Sequence, residues 1–263
     1  MEDEARKERE AGFFDQAHSD QVRTGVWSKY YRVARSSRDF YRHYLESRCE
    51  GAEVLEYGSG VTKYALFVAD RGARSVVGID ISPVAVERGN ERVRSEGYDS
   101  VSYRVMDAED MDFEDDSFDL VCGGAILHHL DLSRAYSELS RVLRPSGSAI
   151  FMEPLGHNPV INLFRDRTPE MRTPDEHPLL MADLRSAEEF FGTVRARFFC
   201  LSGLAAVPFR GVPGFPRMVS ALDAFDRALF RLVPPTRKHA WQVGIELTRP
   251  RLGRAAARER AAL

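Results

Sequence analysis

Cysteine is scarce in this chain of 263 residues, and basic charge is not in surplus. Its three cysteines, Cys49, Cys122 and Cys200, are far apart and form no CxxC pair, which predicts a reducing compartment without disulfides or structural zinc. The formal net charge of −3 disfavours a general nucleic-acid binder, because such proteins usually carry a basic surplus. We therefore expect no nucleic-acid partner.

Long apolar runs are also missing. No uninterrupted apolar stretch is long enough to cross a bilayer, and the densely charged first ten residues do not have the pattern of a signal peptide. The hydrophobic content of 43% and the charged content of 29% are ordinary for a globular protein. We expect a soluble cytoplasmic protein without a membrane partner.

Three acidic residues each close or directly follow a short apolar run. Glu56 lies in the run 53–57, Asp80 ends the run 75–80, and Asp107 follows the run 101–106. Strand and helix patterns alternate from residue 53 onward, which predicts right-handed crossovers and a parallel sheet. The carboxyl ends of parallel strands share one edge, where open α/β folds bind ligands. The three carboxylates are therefore expected at one ligand-binding edge.

Gly58 and Gly60 follow the first of these runs. Glycines after a strand allow a tight turn and let a ligand approach where a Cβ would collide. A dinucleotide site needs a further glycine at position 63, which is Lys63, and Glu56 would repel a pyrophosphate. A cationic, phosphate-free adenosine ligand suits these residues better, and S-adenosylmethionine has that chemistry.

The chain resembles the class I S-adenosylmethionine-dependent methyltransferases, motif by motif over residues 50–155 and more loosely to about residue 250. It departs from the family at Thr62, where a third glycine is frequent. The resemblance implies a Rossmann-like, doubly wound α/β fold with a mostly parallel sheet and an antiparallel edge strand at residues 241–248. The motifs that carry it are residues 54–60, 78–82, 106–109, 116–121 and 143–147.

Charge and strand position predict roles for the cofactor residues. Glu56 attracts the amino or sulfonium region, Asp80 accepts the ribose hydroxyl protons, and Asp107 accepts from the adenine amine. The N–H of Ala108 serves an adenine nitrogen, and the two glycines after the fourth strand offer carbonyls to the methionine amino group. With the residues that the resemblance adds, the predicted cofactor-binding set is Tyr30, Glu56, Gly58, Ser59, Gly60, Asp80, Ile81, Asp107, Ala108, Glu109, Gly123, Gly124 and His128.

His157 is the predicted catalytic base, because it leaves the fifth strand at the ligand edge and has a pKa in the neutral range. The alternative is a loop histidine that holds the proline-rich segment after residue 154. No metal is expected at His128 and His129, because no cysteine or acid cluster accompanies them at metal spacing. Six aromatic residues are candidates for the apolar wall of an acceptor pocket, with core packing as the alternative: Trp27, Tyr30, Tyr31, Phe198, Phe199 and Phe209.

Four segments are predicted. Residues 1–50 form a helical lid whose first dozen residues are either a frayed terminus or a helix on a neighbouring subunit. Residues 51–155 form the cofactor-binding core, residues 156–250 form a substrate-side insertion with strands that complete the same sheet, and residues 251–263 form a flexible tail.

The predicted reaction is in-line methyl transfer to a small apolar or aromatic molecule. Within the family, the His157 loop resembles bacterial enzymes of specialised metabolism, including a teleocidin-pathway C-methyltransferase that methylates a prenyl alkene and triggers cyclisation. O- or N-methylation stays an equal alternative, and a non-catalytic adenosyl-ligand binding module is the rival from another class. A further hypothesis is that the N-terminal helices join copies of the chain into a homo-oligomer.

Overall fold

The computed structural model describes residues 2–19, 32–62 and 64–251. Three aromatic residues with predicted cofactor or acceptor contacts lie outside these ranges: Trp27, Tyr30 and Tyr31. The predicted tail also lies outside them from residue 252 onward. No helix in the described ranges is both long enough and apolar enough to span a membrane.

The strands and helices alternate as the sequence predicts. The strands are β1 (Glu53–Tyr57), β2 (Ser75–Asp80), β3 (Val101–Val105), β4 (Phe118–Gly124), β5 (Leu143–Pro154), β6 (Phe191–Phe199) and β7 (Gln242–Pro250). The helices are α1 (Glu2–Ser19), α2 (Arg35–Glu46), α3 (Ala65–Ala69), α4 (Pro83–Glu96), α5 (Leu132–Val142), α6 (Pro159–Asp166), α7 (Met181–Ser186) and α8 (Phe215–Leu232), with short 3-10 turns between several of them.

All the strands join one sheet in the order β3-β2-β1-β4-β5-β7-β6. Strands β1 to β5 pair in parallel, and β7 runs antiparallel to both of its neighbours, β5 and β6. The predicted mostly parallel, doubly wound fold is confirmed. The antiparallel strand lies one place inside the sheet edge, because β6 pairs outside it. Successive strands are added in one direction from β1 to β3 and in the opposite direction from β4 onward. The point where this order reverses, between β1 and β4, forms the crevice where such folds bind ligands.

Helix α4 shows how the local sequence sets an element's bounds. The Ser82 hydroxyl accepts a hydrogen bond from the Ala85 N–H, Pro83 occupies the first turn, and Gly97 ends the helix in a left-handed conformation. These are the preferred residues at such positions, and the predicted helix 83–96 is confirmed. The helix predicted for residues 61–71 is shorter in the structure and spans only Ala65–Ala69.

Apolar side chains cover both faces of the sheet. Tyr57 and Phe151 are fully buried on one face, and their rings meet edge to face at 5.7 Å. On the other face, α2 packs through Tyr41 and Leu45 against β1 and β4 residues that include Leu120. Burial of these rings and aliphatic chains supplies the main stabilisation of the sheet and fixes its strand ends as a rigid frame.

The first twelve residues differ from the frayed terminus that the sequence favoured. Residues 2–12 belong to α1, which packs against α4 and lies beside the carboxyl ends of the strands. The helix has almost no apolar face, and this is why its periodicity gave no signal. Its contacts are mainly ionic, and they are made to acids of the ligand-binding edge.

Candidate active site

A cavity of about 680 Å³ opens at the carboxyl ends of the parallel strands. Its walls come from the strand ends, from α1 and from the segment between β5 and α7. This volume is in the range of a small-molecule site. The predicted cofactor residues that line it are Gly58, Gly60, Asp80, Ile81, Asp107, Ala108, Glu109, Gly124 and His128.

Gly58 has a backbone conformation that the site requires. Its φ is +67°, in the left-handed region, and a Cβ at this position would lie 2.7 Å from the Ile126 side chain. A larger residue would therefore be strained and would also push Ile126 into the cavity. The glycine predicted from the loop pattern is thus explained by both the turn and the close packing.

Asp80 organises the glycine loop. Its Oδ2 accepts a hydrogen bond from the Gly60 N–H at 2.7 Å, and its Oδ1 accepts one from the Ser82 N–H at 2.9 Å. Each carboxylate oxygen has a second lone pair, so Asp80 keeps acceptor capacity for a ligand diol. The two backbone bonds hold the carboxylate in one orientation at the cavity wall.

Glu56 lies behind the cavity and holds the start of α3. Its carboxylate accepts hydrogen bonds from the Tyr64 N–H at 2.6 Å and the Ala65 N–H at 3.1 Å, and it is 1% exposed. These are N–H groups of the first turn, which have no partner within a helix. Glu56 therefore positions the loop from below, and its attraction for the ligand's ammonium group stays a prediction.

Two further predicted residues lie beside the lining without facing the cavity. Ser59 is fully buried within the glycine loop. Gly123 is paired with Tyr57 in the sheet, and its carbonyl accepts a hydrogen bond from the Tyr41 hydroxyl at 2.9 Å. The contact to α2 thus fixes the end of β4, next to Gly124.

Helix α1 covers the acidic end of the cavity. Lys7 Nζ lies 2.6 Å from Asp107 Oδ2, and an Arg6 Nη lies 2.6 Å from Glu109 Oε1. Asp107 Oδ1 also accepts from the Glu109 N–H. Sequence reasoning missed both cations, because the strand-end acids gave no indication of what would pair with them.

His128 and Glu153 form a buried pair in the middle of the site. His128 Nδ1 lies 2.7 Å from Glu153 Oε2, while Glu153 Oε1 accepts hydrogen bonds from the N–H groups of Ile126 and Leu127. Burial lowers the pKa of His128, and the hydrogen bond to Glu153 opposes that shift. The carboxylate accepts from the Nδ1–H of the neutral ring, which leaves the Nε2 lone pair as an acceptor.

His157 lies outside the cavity lining. Its Nε2 accepts a hydrogen bond from the Met181 N–H at 3.3 Å, and its carbonyl oxygen is 3.0 Å from His239 Nδ1. The structure therefore matches the alternative of a loop histidine that holds the segment after β5. Asn158 caps α6 immediately afterwards, because its side chain accepts hydrogen bonds from the N–H groups of Val160 and Ile161. The catalytic role of His157 stays a prediction.

Glu176 reaches the paired histidines from a distant part of the chain. Ligand atoms of His128, His129 and Glu176 lie within 4.8 Å of one another. The sequence argument against metal ligation considered only neighbouring residues, and the fold supplies the acid that it found missing. Arg165 Nη2 donates to this same carboxylate at 3.1 Å, so a cationic group already pairs with Glu176.

The apolar lining comes from residues other than the predicted aromatics. Phe198 packs against Phe230, Phe199 packs against Phe40, and Phe209 is 51% exposed. Phe198 and Phe199 are consecutive in β6 and so point to opposite faces of the sheet, and Phe209 ends a 3-10 turn. The apolar residues that do line it include Phe14, Ile81, Met106, Leu130, Met152, Ile161 and Trp241.

Comparisons with known proteins agree with this geometry. A family model described as "Methyltransferase domain" matches residues 55–151. Methyltransferase GfsG of Streptomyces halstedii is 38% identical over 99 residues, which are 37% of this chain and 36% of that protein. The aligned stretch thus spans about a third of the curated relative's length.

Solved structures show the same fold over most of the chain. A Haemonchus contortus phosphoethanolamine N-methyltransferase, solved with S-adenosylhomocysteine, has a TM-score of 0.63 at 17% identity and covers 92% of this chain and 60% of its own. Geranyl diphosphate C-methyltransferase from Streptomyces coelicolor A3(2) has a TM-score of 0.59 at 16% identity, with 88% and 84% covered. Residues 55–151 thus match a methyltransferase domain, and these solved methyltransferases share the fold of this chain.

Proposed function

We propose that this protein transfers a methyl group from S-adenosylmethionine to a small molecule that gives up a proton in the reaction. One observation carries the proposal: a single cavity is lined both by the strand-end carboxylates Asp80 and Asp107 and by His128, whose ring is hydrogen-bonded to the buried Glu153. The first two residues suit an adenosine, and the pair suits a general base. The matched methyltransferase domain supports the assignment.

The cofactor half of the site fits S-adenosylmethionine. The loop at Gly58 has no room for a side chain, and Asp80 has free acceptor capacity for a ribose diol. Asp107 and the backbone of Ala108 lie at the next strand end, where they would meet an adenine. When bound, the cofactor supplies a methyl group already activated by its sulfonium.

The acceptor half of the site centres on His128. Glu153 fixes the ring in one orientation, and the low pKa that burial produces keeps the ring neutral near pH 7. A neutral imidazole with a free lone pair can remove a proton from a hydroxyl, from an amine or from a carbocation after alkene attack. Glu153 acts through His128 as a positioning residue.

Alignment in a closed pocket accounts for the remaining rate enhancement. Helix α1 covers the cavity through Lys7 and Arg6, and Phe14 packs edge to face on His129 at 5.3 Å. Such closure excludes water and holds the reacting groups in line. The setting in bacterial specialised metabolism and the methylation of an alkene with cyclisation stay predictions.

The test is calorimetric titration of the full chain with S-adenosylhomocysteine, followed by turnover with a labelled methyl donor and a panel of small acceptors. We expect binding of the homocysteine product and transfer of label to at least one acceptor. Binding without transfer across a broad panel would favour the non-catalytic module. Stabilisation by NADH in place of S-adenosylhomocysteine would contradict the proposal altogether.

A further inference from the structure

Two arginines of the segment after β5 line the cavity. Arg165 lies in the last turn of α6, and Arg172 directly follows the next short turn. Arg165 is 9% exposed, and the Arg172 side chain is 14% exposed. Long cationic side chains are rarely buried to this extent unless they are paired.

The hydrogen bonds of these guanidinium groups are incomplete. Arg165 Nη2 donates to Glu176 at 3.1 Å, but its Nε and Nη1 have no acceptor among the described residues. Arg172 Nη2 donates to the backbone oxygens of Arg165 and Thr168, while its Nε lies 4.0 Å from Glu176 and has no acceptor in the described ranges. Buried donors without acceptors are costly, so they indicate a partner.

The two positive charges of the arginines have fewer buried negative charges beside them. Glu176 is the buried carboxylate that both guanidinium groups approach. Asp166 and Glu170 act on Arg172 only through space and are solvent-exposed. The other buried acids near the cavity contact other groups: Glu153 bonds to His128, Glu109 to Arg6, and Glu10 accepts from Thr173. Among the described residues the two guanidinium groups therefore share one buried carboxylate, and burial lowers the pKa of both arginines.

We propose, building on the methyltransferase function above, that the methyl acceptor carries an oxyanion, either a carboxylate or a phosphate, that binds Arg165 and Arg172. An oxyanion neutralises the surplus charge and supplies the missing acceptors, and guanidinium donors suit its geometry. Glu176 lies within 4.8 Å of His128 and 3.1 Å from Arg165, so the anionic group and the atom that His128 deprotonates lie close together in the acceptor.

A metal ion is the competing occupant, because Glu176 also reaches His128 and His129. The arrangement favours the anion. A cation held by Glu176 would lie beside Arg165 and Arg172, whereas an anion would be attracted by both. The unused guanidinium donors have no role in a metal site.

The experiment uses the full chain saturated with S-adenosylhomocysteine. Inorganic phosphate, pyrophosphate and benzoate are added separately at ionic strength matched with sodium chloride, and the unfolding temperature and calorimetric affinity are measured. We expect at least one oxyanion to raise the unfolding temperature when chloride does not. A response to benzoate alone identifies a carboxylate, and a response to phosphate or pyrophosphate alone identifies a phosphate.

Two variants should shift anion affinity in opposite directions. Arg165→Gln removes one charge and is expected to weaken binding roughly 10- to 100-fold, as for a lost charge-assisted hydrogen bond. Glu176→Gln removes the competing carboxylate and is expected to tighten it. Arg35→Gln is the control, because the ion pair that Arg35 makes among the described residues is an exposed i,i+4 pair with Asp39. Opposite shifts cannot arise from a general loss of folding.

Three results would overturn the inference: no response of the wild-type protein to any oxyanion, a response that survives Arg165→Gln, or stabilisation by zinc chloride with all three anions inert. The proposed function is tested separately by the first titration. If S-adenosylhomocysteine binds and the anions do not, only the acceptor's charge is disproved. If S-adenosylhomocysteine does not bind, the methyltransferase assignment itself fails.

Discussion

Lys7 Nζ lies 2.6 Å from Asp107 Oδ2, so a cation of the N-terminal helix pairs with an acid at the end of the third strand. Both side chains stay partly exposed, at 22% and 27%. Ion pairs of this kind are worth about 0.2–1 kcal/mol and are screened by salt. The docking of α1 is therefore expected to depend on ionic strength.

We predict that high salt opens α1 before it affects the sheet. Hydrogen exchange of residues 2–19 should accelerate several-fold between low salt and about 1 M sodium chloride, where the screening length is about 3 Å. Exchange of β1 and β4 should not change. Lys7→Met should produce the same local acceleration at low salt. Equal exchange in α1 at both salt concentrations would show that the helix is held by other contacts.

Asp80→Asn should weaken S-adenosylhomocysteine binding by roughly 10- to 100-fold, because it removes charge from acceptors that a ribose would use. The amide keeps the size of the side chain, so the fold should survive. Calorimetry measures the loss. The matched control is Asp70→Asn, whose side chain accepts from the exposed Tyr98 hydroxyl outside the cavity. Unchanged affinity in Asp80→Asn would remove this residue from the cofactor site.

His128→Asn should reduce turnover about 10²- to 10⁴-fold, the usual contribution of a general base, with affinity for S-adenosylhomocysteine nearly preserved. His157→Ala, the paired variant, should have a small effect, because its Nε2 holds the Met181 N–H outside the cavity lining. The reverse result, with His157→Ala inactive and His128→Asn active, would assign the base to His157.

The acidic limb of the pH–rate profile should lie below pH 6.5, because burial lowers the pKa of His128 from that value. The sign also applies to stability. A histidine with a lowered pKa in the folded state binds its proton more tightly when unfolded, so its contribution is present above pH 6.5 and is lost as the pH falls through the folded pKa.

Glu153→Gln separates the electrostatic effect from the orienting effect on His128. Loss of the negative charge should move the acidic limb to lower pH, because the bond to Glu153 raises the pKa of His128. Turnover should also fall. The N–H groups of Ile126 and Leu127 would donate to the oxygen of the new glutamine amide, so its NH₂ group would face His128 Nδ1. A pH profile that does not move would contradict this arrangement.

Gly58→Ala should destabilise the protein more than Gly97→Ala does. Both glycines have a positive φ, so both substitutions carry left-handed strain of about 1–2 kcal/mol. Only Gly58 has a neighbour where the Cβ would go, at 2.7 Å from Ile126, and overpacking adds about 1–3 kcal/mol. Urea unfolding measures both. Adding Ile126→Val to Gly58→Ala should recover part of the loss, and equal destabilisation of the two glycine variants would disprove the clash.

Much of the cofactor half could be predicted because its signals are local. The acids and glycines lie within a few residues of strand ends, and parallel strands bring such ends together whatever the rest of the chain does. Asp80 and Asp107 therefore reached the cavity as expected. Glu56 shows the limit of this reasoning, because its direction depends on the Tyr64 and Ala65 N–H groups that it holds.

The residues of the acceptor half could not be predicted from local sequence signals. Arg172 and Glu176 come from an irregular, proline-containing segment with no period from which their direction follows, and Arg165 lies in the last turn of the short helix α6 just before it. His157 looked suitable from its position after β5, yet it lies outside the cavity lining and its Nε2 accepts from the Met181 N–H. The docking of α1 on the strand-end acids was missed, because ionic contacts leave no hydrophobic pattern in a sequence.

The sequence by itself determined the parallel sheet, the glycine loop and the class of cofactor, since alternation of apolar runs and residues at strand ends depend on near neighbours. Only the tertiary structure decided which histidine faces the cavity, which acid reaches it and where two arginines lie with incomplete hydrogen bonding. The reason is physical: burial and charge balance are properties of groups that come together in space, and the chain separates those groups by many residues.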